Sequence, residues 1–321
     1  MKRNILVVMP ADEGHKELLK SKAGEAEFVF TTPEEATSEM IENAHIIVGN
    51  VAPSLLSGCK NLELVQLCSA GTDGYTADGV IPKGAVLCNA TGAYGLAISE
   101  HMLACVLALK KKLNLYINNM SSPVWRDEGP VGGIIGSTVL IIGLGNIGTE
   151  FATRMKALGA KTIGVVRTKR EAPECVDELH TMEELPELIG RADVITSSLP
   201  GTKATYKIYN KDFFAKMKSS AIFINVGRGT AVDTDALIDA LNQEVIAGAA
   251  LDVTDPEPLP EDHPLWGAKN LILTPHVSGG YHMKQTWDTI IEIAAHNIDV
   301  TVHGGELHSV IDMQTGYRKR S

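Results

Sequence analysis

The sequence lacks the long apolar runs that would place the chain in a membrane. No apolar stretch in its 321 residues approaches the ~20 residues that span a bilayer. The N-terminal run ILVVM is shorter than the about 7–15 residues of a signal-peptide core, and no small-residue cleavage site follows it. We therefore interpret this run as a first buried strand and expect no membrane association.

Patterned cysteines and an excess of positive charge are also missing. The net charge of −10 argues against nucleic acid as the main partner, because phosphate binding needs a basic surface. The basic end YRKRS (317–321) is interpreted as a solvated tail. The five cysteines fit no zinc spacing and no disulfide framework, which predicts a cytoplasmic protein without a metal site. They are Cys59, Cys68, Cys88, Cys105 and Cys175.

The chain does contain two long series in which short apolar runs alternate with helical patterns. Continuous apolar strands between helices indicate a parallel sheet covered on both faces, and this length favours two domains. The first series has strands near 3–9, 27–30, 45–49, 63–67 and 85–89. The second has strands near 138–142, 161–166, 193–197, 221–225, 246–251 and 271–274. Long helices are predicted over 96–120 and 283–302, and the predicted fold is α/β with two doubly wound parallel-sheet units.

The second series opens with a G-x-G-x-x-G motif. Gly143, Gly145 and Gly148 follow a strand and open a helix, and a second strand comes next. In this context the glycines permit a tight turn, close approach of a pyrophosphate and close packing of helix on strand. The helix N-terminus then offers unpaired N–H groups to the phosphates. The motif predicts a dinucleotide-binding site.

The residues after the next strand indicate which dinucleotide is bound. An acid that selects NAD is expected about 20 residues after the glycines, but the chain has Val166, Arg167 and Thr168 there. Valine cannot accept the ribose hydroxyls, whereas Arg167 can pair with a 2′-phosphate through two parallel bonds and Thr168 can donate another. A solvated basic loop is the plain alternative. We predict NADP as the cofactor, with NAD possible.

Polar residues follow three later strands of the same series. Arg228 lies in FINVGRG, Asp252 and Glu257 in LDVTDPEP, and His276 in LTPHVSGG. Taken singly, they could be a surface arginine, a loop acid and a strand-capping histidine. Because loops beyond the carboxyl ends of parallel strands line the ligand crevice, their recurrence at successive strand ends favours one shared site.

The motifs resemble the D-isomer-specific 2-hydroxyacid dehydrogenase family over nearly the whole chain. The matching segments are LCSAGTDGY (67–75), CNATGAYGLAISEHMLA (88–104), GLGNIG (143–148), LPGTKATYKIYN (199–210), INVGRGTAVD (224–233), ALDVTDPEPLPEDHPLW (250–266) and LTPHVSGG (273–280). The resemblance implies hydride transfer between a nicotinamide and C2 of a 2-oxo or 2-hydroxy acid. The family's usual acid after the second strand is missing, which puts NAD use in doubt but not the reaction class.

The resemblance also assigns roles to individual residues. It implies His276 as the acid/base, Glu257 as its partner, and Arg228 as the substrate anchor. The N–H groups of Ala70 and Gly71 would bind the substrate carboxylate, and Asp252 would bind the nicotinamide amide. It also gives Pro200 and Thr205 as counterparts of cofactor-binding residues. The other predicted cofactor-binding residues are Gly145, Asn146, Ile147, Arg167, Thr168, Val226 and His276 itself.

Elementary chemistry agrees with these roles. Reduction of a ketone creates an alkoxide that must be protonated as hydride arrives, and an imidazolium can do this near neutral pH. A carboxylate on the far ring nitrogen stabilises the charged ring and fixes its orientation. A guanidinium can bridge the substrate carboxylate and carbonyl oxygen. No metal is needed.

The architecture implied by the resemblance is discontinuous. A substrate-binding domain would comprise 1–98 plus 293–321, and a dinucleotide-binding Rossmann domain would comprise 99–292, with a cleft between them that closes over the substrate. The helix after Leu96 and the loop that follows it would form a homodimer surface, although its Leu and Met stripe is also compatible with a core position.

Several alternatives stay open at the level of sequence. The substrate could be glyoxylate, hydroxypyruvate or a bulkier 2-oxo acid, with the side-chain pocket formed by 50–54, 91–95, Tyr281 and Met283. A dinucleotide-sensing protein like the corepressors that share this fold could retain the same residues. A phosphoglycerate dehydrogenase with a regulatory domain is disfavoured, because the chain ends about 20 residues after the last helix. The formate dehydrogenase branch is disfavoured by Glu257, where those proteins have glutamine.

Overall fold

The computed structural model describes residues 2–121, 123–316 and 318–319. The chain divides into two compact units, which are Met1–Tyr94 with Tyr281–Ser321, and Gly95–Gly280. Each unit is built on one parallel sheet. The first unit is therefore discontinuous in sequence, and the second is a single continuous segment.

The first unit contains a five-stranded parallel sheet of order β2-β1-β3-β4-β5. Its strands lie at the apolar runs because a sheet covered on both faces needs side chains that are apolar in both directions. In β1, for example, the residues from Ile5 to Val8 are all buried. The strands are β1 (Asn4–Val8), β2 (Glu27–Phe30), β3 (Ile46–Gly49), β4 (Leu64–Gln66) and β5 (Val86–Cys88).

Helices α1 (Glu13–Ser21), α2 (Ser38–Glu42) and α9 (Lys284–His303) belong to this unit. The Asp12 side chain caps α1 by accepting a hydrogen bond from His15 N at 2.9 Å. This bond gives a partner to a backbone N–H of the first turn that has none within the helix. The C-terminal helix α9 packs on this region, since Trp287 Nε1 donates to Pro10 O at 2.9 Å and the rings of His15 and Trp287 lie 4.5 Å apart.

The second unit contains a seven-stranded parallel sheet of order β12-β11-β10-β9-β6-β7-β8. The order reverses at β6, which carries the glycine motif, and ligands bind at such a switch point in open α/β sheets. The strands are β6 (Thr138–Ile142), β7 (Lys161–Val166), β8 (Glu178–Thr181), β9 (Val194–Ser197), β10 (Ile222–Asn225), β11 (Gly248–Leu251) and β12 (Leu271–Leu273). The helices are α3 (Gly95–Lys110), α4 (Leu113–Ser121), α5 (Asn146–Ala157), α6 (Leu185–Leu188), α7 (Lys211–Ala215) and α8 (Thr234–Asn242).

The core of the second unit extends along strands β6, β7, β9, β10 and β11. Tyr209 and Phe223 are fully buried there with ring centroids 4.9 Å apart, and Phe213 and Phe214 pack against them. Aromatic side chains bury large areas and lock neighbouring elements together. This cluster fixes the strands whose ends carry the polar motifs.

Three features differ from the sequence-based expectations. The helix predicted over 96–120 is two helices, because Lys112 adopts a φ of 57° between α3 and α4. Strand β8 was not predicted, since its four residues Glu-Leu-His-Thr are only half-buried at the edge of the sheet. The proposed domain boundaries 98/99 and 292/293 fall inside α3 and α9. The boundaries between the compact units lie in the sequence at 94/95 and 280/281, so that each of these helices belongs as a whole to one unit.

The C-terminal segment packs against the first unit. Val310 pairs with Cys88 at the edge of β5, and Ile311 N donates to Leu87 O at 2.9 Å. Of the tail expected to be solvated, residues 317, 320 and 321 lie outside the described residues. Arg318 pairs with Ile311, and Lys319 N donates to Val310 O at 2.7 Å, so the backbone of these two residues is held.

The five cysteines are free thiols, of which Cys175 is partly accessible and the other four are buried. Burial raises the pKa of the Cys88 thiol to about 12. Among the described residues, no group of three or more His, Cys, Asp or Glu side chains is arranged to hold a metal ion. No helix of the described chain combines the length and apolar character needed to cross a membrane.

Candidate active site

The glycine motif forms an open turn between β6 and α5. Gly143 has a φ of 97°, which side chains rarely tolerate, and a Cβ on Gly148 would lie 2.2 Å from the Gly143 oxygen. By contrast, a Cβ on Gly145 would meet nothing within 4 Å. Gly145 caps the 12-residue helix α5 without a side-chain hydrogen bond, and the first-turn N–H groups of such a helix are suited to bind a phosphate.

The end of β7 presents positive charge beside this turn. Arg167 and Thr168 are exposed immediately after Val166, the last residue of the strand. Arg170, which the sequence analysis did not single out, donates from Nη2 to Leu144 O at 2.6 Å. The surroundings of the glycine turn are thus cationic on the side where an NAD-selecting acid would otherwise stand.

The loops after β9 and β10 meet in close backbone contact. A Cβ on Gly227 would lie 2.4 Å from Leu199 O, and Val226 N donates to Ser197 O at 3.0 Å. The hydroxyl of Thr205, which is buried, donates to Pro200 O at 2.7 Å. The Thr205 side chain therefore shapes the Pro200 loop from within.

Arg228 is held by a residue that sequence reasoning missed. Asn225, the last residue of β10, donates from Nδ2 to Arg228 O at 2.9 Å and accepts from Gly227 N at 3.0 Å. The Arg228 side chain donates from Nη1 to Gly227 O at 2.8 Å. An asparagine at the end of the otherwise apolar strand IFIN was the available signal in the sequence.

His276 and Glu257 form the hydrogen-bonded pair that the motifs predicted. His276 Nδ1 lies 2.5 Å from Glu257 Oε1, and the two side chains are 47% and 41% exposed. The pair is therefore ordered yet accessible, and the Nε2 side of the ring is free of the carboxylate. Since β10, β11 and β12 are adjacent and parallel, Arg228, Glu257 and His276 all follow neighbouring strand ends at one edge of the sheet.

Asp252 organises the loop that carries His276. Its buried carboxylate accepts from Thr274 Oγ1 at 2.6 Å, from Val277 N at 3.0 Å and from Ser278 N at 3.1 Å, and also from Ser278 Oγ. These four bonds occupy the roughly four lone-pair sites of a carboxylate. The nicotinamide amide expected at Asp252 would have to share an oxygen with one of these donors.

In the first unit, the loop after β4 is fixed by side chains. Asn50 Nδ2 donates to Ser69 Oγ at 2.9 Å, Ser69 Oγ donates to Gly71 O at 2.8 Å, and Asn89 Nδ2 donates to Ala70 O at 2.6 Å. No hydrogen bond from the N–H of Ala70 or Gly71 occurs within the described part of the chain. The carbonyl groups of Ala70 and Gly71 therefore accept hydrogen bonds within the protein, while their N–H groups are available to a ligand.

A phenol and a thiol adjoin this loop. Tyr281 OH donates to Cys68 Sγ at 2.6 Å, and Tyr94 OH donates to Cys68 O. Burial raises the pKa of the Cys68 thiol and of the Tyr281 phenol, so both groups stay protonated at neutral pH. Of the residues expected to shape a side-chain pocket, the structure brings together Asn50, Tyr94 and Tyr281 around Cys68.

Comparisons with known proteins agree with this geometry. The sequence model of the "D-isomer specific 2-hydroxyacid dehydrogenase, NAD binding domain" matches residues 103–278. The human glyoxylate reductase/hydroxypyruvate reductase is 32% identical over 257 residues, which are 79% of this chain and 78% of that protein.

Solved structures are similar over almost the full length. A D-isomer specific 2-hydroxyacid dehydrogenase family protein from Aeromonas salmonicida has a TM-score of 0.85 at 31% identity, covering 98% of this chain and 100% of that chain. An NADPH-dependent glyoxylate/hydroxypyruvate reductase from Sinorhizobium meliloti, in complex with NADP and sulfate, has a TM-score of 0.82 at 27% identity, with 98% and 100% covered.

Proposed function

The chain belongs to the D-isomer-specific 2-hydroxyacid dehydrogenase family, an NAD(P)-dependent oxidoreductase family, and on this premise we propose that it reduces a 2-oxo acid to a D-2-hydroxy acid with NADPH as the preferred donor. The observation that carries the proposal is the 2.5 Å hydrogen bond between His276 and Glu257. Glu257 follows β11, and Arg228 follows the adjacent strand β10. The bound dinucleotide supplies the hydride.

His276 is the proposed proton donor. Its Nδ1 is bonded to Glu257, so the proton delivered to the nascent alkoxide comes from Nε2. Glu257 stabilises the protonated ring and prevents it from turning. After transfer the neutral ring regains a proton from solvent, to which both side chains are accessible.

Arg228, Ala70 and Gly71 are the proposed substrate-binding groups. A guanidinium can bind a carboxylate and polarise the neighbouring carbonyl, which favours hydride attack at C2. The available N–H groups of Ala70 and Gly71 suit the carboxylate of the substrate, because charge-assisted bonds to a fixed loop cost little reorganisation.

The proposed cofactor residues surround the glycine turn and the neighbouring loops. The N–H groups of the α5 N-terminus would bind the pyrophosphate. Arg167 and Thr168 would bind the 2′-phosphate that distinguishes NADPH from NADH. The remaining proposed contacts, from the strand-end loops, are Gly145, Asn146, Ile147, Pro200, Thr205, Val226 and Asp252.

A small hydroxylated or unsubstituted substrate, such as glyoxylate or hydroxypyruvate, is the proposed preference among 2-oxo acids. The human and Sinorhizobium relatives carry these substrates in their names. The polar side chains of Asn50, Cys68 and Tyr281 near the Ala70 loop also favour a polar substituent.

Steady-state reduction of 2-oxo acids of increasing bulk, with NADPH and with NADH, tests the proposal. We expect turnover, with kcat/KM for NADPH about tenfold or more above that for NADH, because one charge-assisted contact is worth that ratio. Arg167→Ala should erase most of the preference, while the control Lys169→Ala should retain it. A preference for NADH would contradict the cofactor assignment, and tight NADPH binding without turnover would favour a dinucleotide sensor.

We also propose a homodimer formed through α4 and the following loop. This surface of the second unit exposes apolar side chains that a solvated helix would not need. They are Leu113, Ile117, Met120, Val124, Trp125, Val131 and Ile135. The free thiols support the proposed cytoplasmic location, since the cytosol keeps cysteines reduced.

A further inference from the structure

His101 on helix α3 contacts the loop that carries His276, although the proposed reaction assigns it no part. His101 Nε2 lies 3.3 Å from Thr274 Oγ1, and Thr274 Oγ1 donates to Asp252 Oδ1 at 2.6 Å. Because the threonine proton goes to the carboxylate, its oxygen accepts from the imidazole, which places a proton on Nε2 of His101. Cys105, one turn further along the helix, has its Sγ 3.6 Å from the same nitrogen.

The chain of bonds continues to the backbone of His276. Asp252 accepts from the N–H groups of Val277 and Ser278 through its carboxylate and from His276 N through its carbonyl at 2.8 Å. His276 itself has a φ of 52°. A non-glycine residue persists in this region only where its surroundings over-determine it, and here the surroundings are these bonds.

The Asp252 carboxylate also needs support of its own. It is 2% exposed, and no lysine or arginine of the described residues forms an ion pair with it. Its charge reaches Cys105, whose pKa is raised to about 11 first by burial and then by this carboxylate. A buried carboxylate without a cation depends on its hydrogen bonds. Its two side-chain donors are the hydroxyls of Thr274 and Ser278, and among the described residues a further side chain, that of His101, contacts the Thr274 hydroxyl.

We propose that His101 is a positioning residue for the reaction, acting through Thr274 and Asp252 to hold the His276 loop so that its ring meets Glu257. This inference rests on the proposed function. The imidazole fixes the direction of the Thr274 hydroxyl, and that hydroxyl keeps Asp252 in the orientation that accepts from the 277 and 278 amides. The hydrogen bonds of the His101 ring to described residues go to Thr274 and Cys105, and not to the His276 ring.

Matched variants test the chain of bonds in the full-length protein. His101→Leu and Thr274→Val remove one link each, whereas His101→Gln keeps a donor near the position of Nε2 and Thr274→Ser keeps the hydroxyl. We expect the first two to lower kcat about tenfold or more, since small misplacements of catalytic groups are costly, with KM for NADPH within about twofold. The two conservative variants should recover most of the loss. Glu100→Gln, the exposed neighbour on α3, should match the wild type.

The double variant separates positioning from a general loss of structure. If both residues act through the same series of hydrogen bonds, the double variant His101→Leu with Thr274→Val should have a kcat no lower than that of the slower single variant. Additive losses, or failure of His101→Gln to recover activity at an unchanged melting temperature, would overturn the inference.

A measurement on the free protein keeps this test apart from the proposed function. The proton shared by His276 Nδ1 and Glu257 should give a downfield NMR signal, identified by its loss in His276→Asn. We expect this signal to weaken in His101→Leu and Thr274→Val and to return in His101→Gln. An unchanged signal in the first two variants overturns the inference even if the enzyme turns over. Absence of turnover in the wild type would contradict the proposed function, and the signal would still decide the role of His101. Should His101→Leu not fold, Thr274→Val carries the same test.

Discussion

Six non-glycine residues of the described chain have a positive φ, and His276, at 52°, is one of them. Histidine is among the side chains that enter this region more often than most. The conformation turns the backbone directly after β12, so that the His276 ring reaches Glu257 while its amide bonds to Asp252 O at 2.8 Å. At this scale the site depends on a backbone held by hydrogen bonds.

Replacing the proposed proton donor should affect the chemical step alone. His276→Asn is expected to lower kcat for 2-oxo acid reduction by about 10² to 10⁴, the usual contribution of a general acid. KM for NADPH should change less than about threefold, because the glycine turn that binds the phosphates is intact. Steady-state kinetics on His303→Asn, an exposed histidine at the end of α9, provides the control. A His276→Asn enzyme of normal kcat would rule out this donor.

Replacing the partner carboxylate should slow the chemical step. Glu257 Oε1 lies 2.5 Å from His276 Nδ1, so its carboxylate holds the ring in one orientation. Glu257→Gln is expected to lower kcat for 2-oxo acid reduction by about tenfold or more, because a small misplacement of a catalytic group is costly. Steady-state kinetics measures this loss. A kcat equal to that of the wild type would mean that Glu257 has been misassigned.

Among the elements, β8 shows how an edge strand is held without a large apolar face. It lies at the edge of the described sheet, where it pairs with β7. Its first residue, Glu178, forms ion pairs with Lys161 and Arg191, each at 2.7 Å. Hydrogen bonds from Lys161, Arg191 and His180 lower the pKa of Glu178 to about 2. Charged side chains on an edge also discourage pairing with a second molecule.

The lowered pKa of Glu178 predicts when this network stabilises the fold. Because the folded value of about 2 lies below the ordinary value of 4.5, the contribution is present above pH 4.5 and is lost as the pH falls towards 2. Glu178→Gln should reduce the free energy of unfolding by about 1 kcal/mol at pH 7, after allowance for solvent screening. Urea denaturation should show this difference at pH 7 and pH 5 and a smaller one below pH 4. Glu183→Gln, a neighbouring exposed carboxyl, is the control, and a difference independent of pH would contradict the assignment.

Considered as a whole molecule, each unit is complete as a covered parallel sheet, yet the second exposes Ile117 at 62%, Met120 at 80% and Trp125 at 106%. Ile117→Glu should convert the proposed dimer of 34.4 kDa chains to monomers, because an interfacial charge without a partner is costly to bury. Light scattering after size exclusion measures the mass. Val29→Glu introduces the same charge at an exposed apolar residue of the first unit and should leave the mass unchanged. A wild-type monomer at micromolar concentration would contradict the proposal.

Much of the architecture follows from local patterns. The apolar runs predicted all five strands of the first sheet and six of the seven strands of the second, because a strand covered on both faces must be apolar throughout. The seventh strand, β8, was not predicted because an edge strand held by ion pairs has no continuous apolar run. The break after Lys110 was not predicted because lysines favour helices. The structure shows it through the φ of 57° at Lys112, between α3 and α4.

Local sequence patterns were enough to predict which polar groups follow the strands of the second sheet. The glycines of the turn, the missing acid after Val166 and the positions of Arg228, Glu257 and His276 could be identified because each lies within a few residues of its strand. Parallel strands end at a common edge, so local order becomes spatial proximity. This part of the proposed site could therefore be predicted from the sequence.

How those groups are held depends on contacts that form only in the folded protein. His101 and Thr274 are 173 positions apart, and Asp252 and Ser278 are 26 apart, so no local pattern relates them. Their hydrogen bonds depend on the packing of α3 against β10 and β11, which is set by the burial of whole elements. Directional bonds between distant polar groups form only after apolar packing has fixed the backbone, and for that reason they are visible only in the folded chain.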